Sequence, residues 1–133
     1  MSARKVLDSY SIIAFLENES GAETVAGMIK EARDKERPLL LSVVNWGEVY
    51  YILLREAGRE IADKAAQTLD TLPIEVIDAD RELTLAAATY KANRKMSYAD
   101  CYTAALAKTK KADLVTGDKE FKEVEKDIKV IWI

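Results

Sequence analysis

The chain has no histidine at all. That absence removes Ser-His-Asp and Cys-His nucleophilic pairs, histidine-ligated zinc and imidazole acid–base catalysis. Cysteine is nearly missing too. Cys101 stands alone, which excludes an internal disulfide and a thiolate-rich metal site, and it reads as a small buried hydrophobe. This cysteine usage fits a reducing compartment, and the expected location is cytoplasmic. The start, MSARKVLDSYSIIAFL, has only a short apolar run that Asp8 interrupts, with no small-residue cleavage site after it, so neither a signal peptide nor a membrane span is expected. With two prolines, five glycines and no linker, repeat or low-complexity stretch, residues 1–133 read as a single domain. The net charge of −3 offers no bulk attraction for nucleic acid, so any polyanion must be met by local basic groups or a bound cation.

What the sequence does contain is an alternation of short apolar runs with longer helix-period segments. RKVLD (4–8), LLLSVV (39–44), IEVI (74–77), DLVT (113–116) and IKVIWI (128–133) read as strands. Helices are expected over 20–36, 45–57, 59–72, 80–95 and 97–111, with a short helix before the last strand. Val25, Met28, Ile29 and Ala32 show the i, i+3, i+4, i+7 spacing, and Pro38, Gly58 and Pro73 punctuate the segments. Such alternation implies a three-layer α/β/α sandwich around a five-stranded parallel sheet. Ligands of such sheets bind beyond the carboxyl ends of the strands, where the strand order reverses.

Four carboxylates fall at that end. Asp8 closes the first strand, Glu48 follows the second, Asp100 opens the helix before the fourth, and Asp118 stands just past it in TGD. Each has a plain structural use. Ser97-x-x-Asp100 and Asn45-x-x-Glu48 have the form of capping boxes, as does Ser20-x-x-Glu23, where no chemistry is expected. An acid in the first turn also suits the helix dipole. Asp118 would cap its own short helix and Asp8 would serve a turn. Capping does not explain several acids converging on one rim, because like charges within about 4–6 Å raise one another's pKa and destabilise the site. A divalent cation resolves the conflict. With oxygen ligands alone, Mg2+ or Mn2+ is the natural ion, and an open hydrated metal favours phosphate chemistry.

VLDSYSIIAFL, NWGEVYYIL, SYADCYTAALA and LVTGDKEF, taken in order, resemble the PIN-domain family, and in size its VapC-type toxin ribonucleases of prokaryotic toxin–antitoxin modules. The resemblance implies a metal-dependent endoribonuclease whose first and fourth strands lie side by side. Asp8, Glu48, Asp100 and Asp118 match the family's acidic quartet. Ser9 and Thr116 match positions that usually carry a small hydroxyl. On this resemblance Asp8 and Asp100 would be the primary Mg2+ or Mn2+ ligands, and Asp118 would bind a second ion or hold a water. Glu48 would orient or deprotonate the attacking water, with Ser9 and Thr116 orienting the carboxylates. A toxin of this kind would be a homodimer whose site is covered by a cognate antitoxin.

Lys91, Arg94 and Lys95, running up to Asp100, and Lys119 and Lys122, flanking Asp118, offer a path for RNA. They read equally well as solvated helix faces. Tyr10, Tyr50, Tyr51 and Tyr98 lie near the motifs and could stack on an unpaired base, although core packing is the commoner use. Thr103 shares a helix face with Asp100 and reads as a buried, satisfied hydroxyl. A phosphoacceptor receiver fits poorly, since residue 9 is Ser where an acidic pair is required. A haloacid-dehalogenase-type phosphatase fits poorly as well, with Tyr10 where its second aspartate belongs. A binding module with inert capping acids is the remaining alternative.

Overall fold

The structure, a computed structural model, describes residues 3–133. Its five strands are β1 (Lys5–Leu7), β2 (Leu39–Ser42), β3 (Ile74–Ile77), β4 (Asp113–Thr116) and β5 (Val130–Trp132). They form one all-parallel sheet in the order β3-β2-β1-β4-β5. β1 occupies the centre, with Val6 in register with Leu40 on one side and Leu114 on the other. From β1 the chain winds outward through β2 and β3, then returns to place β4 on β1's free edge. The strand order therefore reverses between β1 and β4.

Side chains alternate across this sheet as its pleat requires. Val6, Leu40 and Leu114 face one core layer, shared with α5 (Arg81–Asn93) and α6 (Tyr98–Lys110). Leu7, Leu39, Leu41 and Val115 face the other, shared with α1 (Ser9–Leu16), α2 (Ala22–Asp34), α3 (Val43–Ala57) and α4 (Arg59–Asp70). This is the expected three-layer sandwich. Every residue of β2 is buried, which explains its unbroken apolar run. Each such leucine contributes about 1.5–3 kcal/mol by leaving water.

Several local expectations need correction. Residues 9–16, to which the apolar pattern assigns no element, form α1, because Asp8 and Ser11 build a reciprocal cap at its start. The second strand ends at Ser42 rather than residue 44. Ser42 caps α3 through Val44 N–H, so Asn45 lies inside the helix and is not its cap. The Ser20 box does not form either. α2 starts after Gly21 in the left-handed region, with Ile133 packed where a β-carbon would project. Ser97 does cap α6, accepting from Asp100 N–H at 3.2 Å, but Ser97 N–H is taken by Glu120, so the box is half made. Among the described residues no helix is long and apolar enough to cross a membrane.

Candidate active site

The crevice at the β1–β4 reversal point is where the acids meet. Asp8 leaves β1 in extended conformation and caps α1, its Oδ1 accepting from Ser11 N–H at 2.8 Å. Its other oxygen accepts from Thr116 Oγ1 at the end of β4. The same threonine oxygen accepts from Asp118 N–H at 2.9 Å, so one hydroxyl links two acids across adjacent strands. Asp118 in turn caps the 3₁₀ helix Lys119–Val124 through Glu120 N–H. Glu48, on α3, accepts from Ser9 Oγ. Asp100 occupies the first turn of α6, held there by Ser97.

All four acids line one cleft of about 550 Å³, together with Glu19 and Glu120. Among the described residues no lysine or arginine lines it. One oxygen each of Asp100, Asp118 and Glu120 lies within 4.8 Å of the other two. Among the described residues none of these three makes an ion pair. The electrostatic consequence falls on Asp100 and Asp8, which resist ionisation. Burial, reinforced by Asp118, Glu120, Asp8 and Glu48, pushes the Asp100 carboxyl up to about 8. Burial also lifts Asp8 to about 6, with Asp118 adding to it, against the opposing pull of the Thr116 and Ser11 hydrogen bonds.

This arrangement fits a hard divalent cation. The donors are carboxylate oxygens, there is no histidine or thiolate to favour zinc, and the mutual repulsion is what an ion would relieve. Glu120 is a member that sequence reasoning missed. Its signal was present two residues after Asp118, but only the 3₁₀ turn reveals that it swings back beside Asp100.

The expected basic path is placed differently from the acids. Lys91 donates to the Met96 carbonyl at 2.7 Å and Arg94 pairs with Asp127 at 3.3 Å; neither lines the cleft. Lys95, Lys119 and Lys122 are exposed. Of the four tyrosines, only Tyr10 lines the cleft. Tyr50 stacks on Trp46 and bonds Asp63, Tyr51 lies under Arg55, and Tyr98 meets the edge of Tyr102. Cys101 is buried, and Thr103 is a satisfied buried hydroxyl bonded to Asn45 at 2.7 Å.

Comparison with known proteins agrees with this geometry. The family model described as PIN domain matches residues 5–127. The DNA-bound VapBC complex from Salmonella typhimurium superposes with a TM-score of 0.79 at 16% identity, covering 97% of both chains. VapC20 from Mycobacterium tuberculosis, a toxin that cleaves the sarcin–ricin loop, gives 0.68 at 21% identity, over 89% of this chain and 92% of that one. The DNA-bound VapBC2 from Rickettsia felis gives 0.74 at 17% identity, over 97% and 98%. At these identities the likeness is one of fold. Among curated protein sequences none matches the chain.

Proposed function

The chain belongs to the PIN domain family, and from that premise we propose that it is a Mg2+- or Mn2+-dependent endoribonuclease, the toxin of a toxin–antitoxin pair. The observation that carries the chemistry is the meeting of Asp8, Glu48, Asp100 and Asp118 in one cleft at the β1–β4 reversal. A divalent ion bound there supplies charge neutralisation for a phosphodiester and a lowered pKa for an attacking water.

The chain's own groups have distinct tasks. Asp100 and Asp118 would hold the cation, with Glu120 within reach of the same position, and Asp8, lining the same cleft, would be a further ligand. Thr116 fixes the Asp8 and Asp118 segments relative to each other. Ser9 occupies one oxygen of Glu48, leaving the second to accept a proton from water and aim it. Because the lining is acidic and carries no basic side chain, the phosphate is not attracted by the cleft walls. Exposed Lys95, Lys119 and Lys122, each within two positions along the chain of cleft-lining Ser97, Asp118 or Glu120, steer the RNA backbone toward the opening. Lys91 and Arg94, committed to Met96 and Asp127, contribute to that field only at a distance.

The toxin assignment is supported by structural neighbours described as VapBC proteins, one of them as a member of the VapBC family of toxin–antitoxin systems, and by another described as a toxin–antitoxin complex. A cognate antitoxin, a homodimeric state and a cytoplasmic location follow from that likeness as part of the proposal. Two experiments test it. Purified protein should cleave RNA only with Mg2+ or Mn2+, and Asp100→Asn should not; equal cleavage by the two proteins overturns the mechanism. Expression should arrest growth, and Asp8→Ala should lift the arrest. RNA cleavage without growth arrest would identify a stand-alone nuclease.

A further inference from the structure

Asn45 is fully buried on α3, three residues before Glu48. Its amide nitrogen donates to the Ala99 carbonyl at 3.2 Å, next to Asp100, and to Ser9 Oγ at 3.4 Å, next to Asp8. Its carbonyl oxygen accepts from Thr103 Oγ1 at 2.7 Å, one turn beyond Asp100. A single side chain thus joins α1, which Asp8 caps, to α3 and α6, which carry Glu48 and Asp100.

The network also has a direction. Ser9 Oγ lies near both the Asn45 backbone carbonyl, at 3.4 Å, and Glu48, and the Glu48 contact is the shorter. A hydroxyl has one proton to give. Ser9 therefore donates to Glu48 and accepts from Asn45, so the amide sets the rotor that holds the carboxylate. A leucine would fill this buried volume with less desolvation penalty. It would not fix where three helix starts stand relative to one another.

We infer that Asn45, braced by Thr103, is a positioning residue that sets the spacing of Asp8 and Asp100 for a divalent cation and holds Glu48 in place beside them. This rests on the proposal that the acid cluster binds such an ion, but it makes a separate demand: the affinity of the folded protein for metal must depend on an amide that touches no metal.

The test is Mn2+ titration of the intact protein without RNA, followed by calorimetry and electron paramagnetic resonance. Circular dichroism and unfolding in EDTA establish that each variant is compared in its folded form. Asn45→Leu should weaken Mn2+ binding roughly tenfold or more, as loss of a group that orients ligands typically does. Thr103→Val should weaken it less, and Thr103→Ser should restore it. If Asn45→Leu does not fold, the Thr103 pair decides, since valine is isosteric with threonine and serine returns the hydroxyl. Folded variants that keep Mn2+ affinity within about twofold of wild type would overturn the inference alone, since outer-shell effects are larger than that. Wild-type protein that binds no Mn2+ would instead sink the metal proposal beneath it.

Discussion

The ring of Tyr10 lies directly against Gly117: a β-carbon at residue 117 would stand 2.3 Å from Tyr10 Cε1 and 2.6 Å from Cζ. Gly117 does not have a positive φ, so the obstacle to a side chain there is the ring rather than the backbone. Gly117 separates Thr116 from Asp118, and Tyr10 follows Ser9. The contact therefore locks the lip of the cleft.

Gly117→Ala should consequently destabilise the protein by about 0.5–1.5 kcal/mol, the cost of pushing the 44% exposed Tyr10 ring off its rotamer rather than of over-packing a core. Adding Tyr10→Ala should recover most of that loss. Urea unfolding of the two single variants and the double variant reads the coupling directly, and strict additivity would show that the ring and the glycine do not constrain each other.

Asp100→Asn should fold, because its N–H to Ser97 bond is a backbone interaction that the substitution leaves intact. It removes a carboxyl that burial and four neighbouring acids hold unfavourably. In EDTA near pH 8 the variant should melt at or above the wild-type temperature, yet gain nothing from added Mn2+. A variant still stabilised by Mn2+ as strongly as wild type would remove Asp100 from the ligand set.

The raised acids give the metal-free protein a definite pH response. Folded Asp100 and Asp8 bind their protons more tightly than in the unfolded chain, with values of about 8 and about 6 against the ordinary 3.8 of an aspartate. Their ionisation therefore works against the fold. This contribution to stability is complete below about pH 4 and is lost as pH rises from there through the folded values, so wild type in EDTA should lose stability from about pH 4 to about 8, most steeply below about 6 where both groups contribute. Asp100→Asn should flatten that slope. For the same reason Mn2+ binding near neutral pH should release protons, which calorimetry in buffers of different ionisation enthalpy measures.

Glu120→Gln tests the acid that the motifs did not announce. Glutamine keeps a carbonyl for the Ser97 N–H, so the loop contact survives while the charge is removed. Mn2+ affinity should fall by roughly tenfold if the third carboxylate ligates or orients a ligand. Unchanged affinity would leave Glu120 as a structural anchor for the start of α6.

The broad architecture was legible because parallel strands buried on both faces must be written as continuous apolar runs, as LLLS and DLVT are. That Asp8 and Asp118 reach one rim was legible for a related reason, since each follows such a run where the chain leaves the sheet; Glu48 and Asp100 lie in helices and were matched through the family resemblance. The caps were harder. Ser42 and Asn45 both suit a helix start, and only the length of β2 chooses between them, which left Asn45 hidden as a cap when it is a buried tie. Ser20 fails as a cap because Ile133, from the far end of the chain, packs against Gly21. α1 escaped notice because SYSIIAFL is short and apolar, and its helical state depends on the Asp8–Ser11 cap.

The central place of β1 has a consequence for biosynthesis. Its first partner, β2, arrives within about forty residues by ordinary chain growth, but its second, β4, must come from the last fifth of the sequence, and the Thr116–Asp8 bond spans 108 positions. A chain still being made, complete through α5, holds Asp8 and Glu48 but lacks Asp100 and Asp118. It cannot assemble the acid cluster. The four acids can therefore meet only once the chain through Asp118 is available, so the assembly of the site is timed by the order of its own strands.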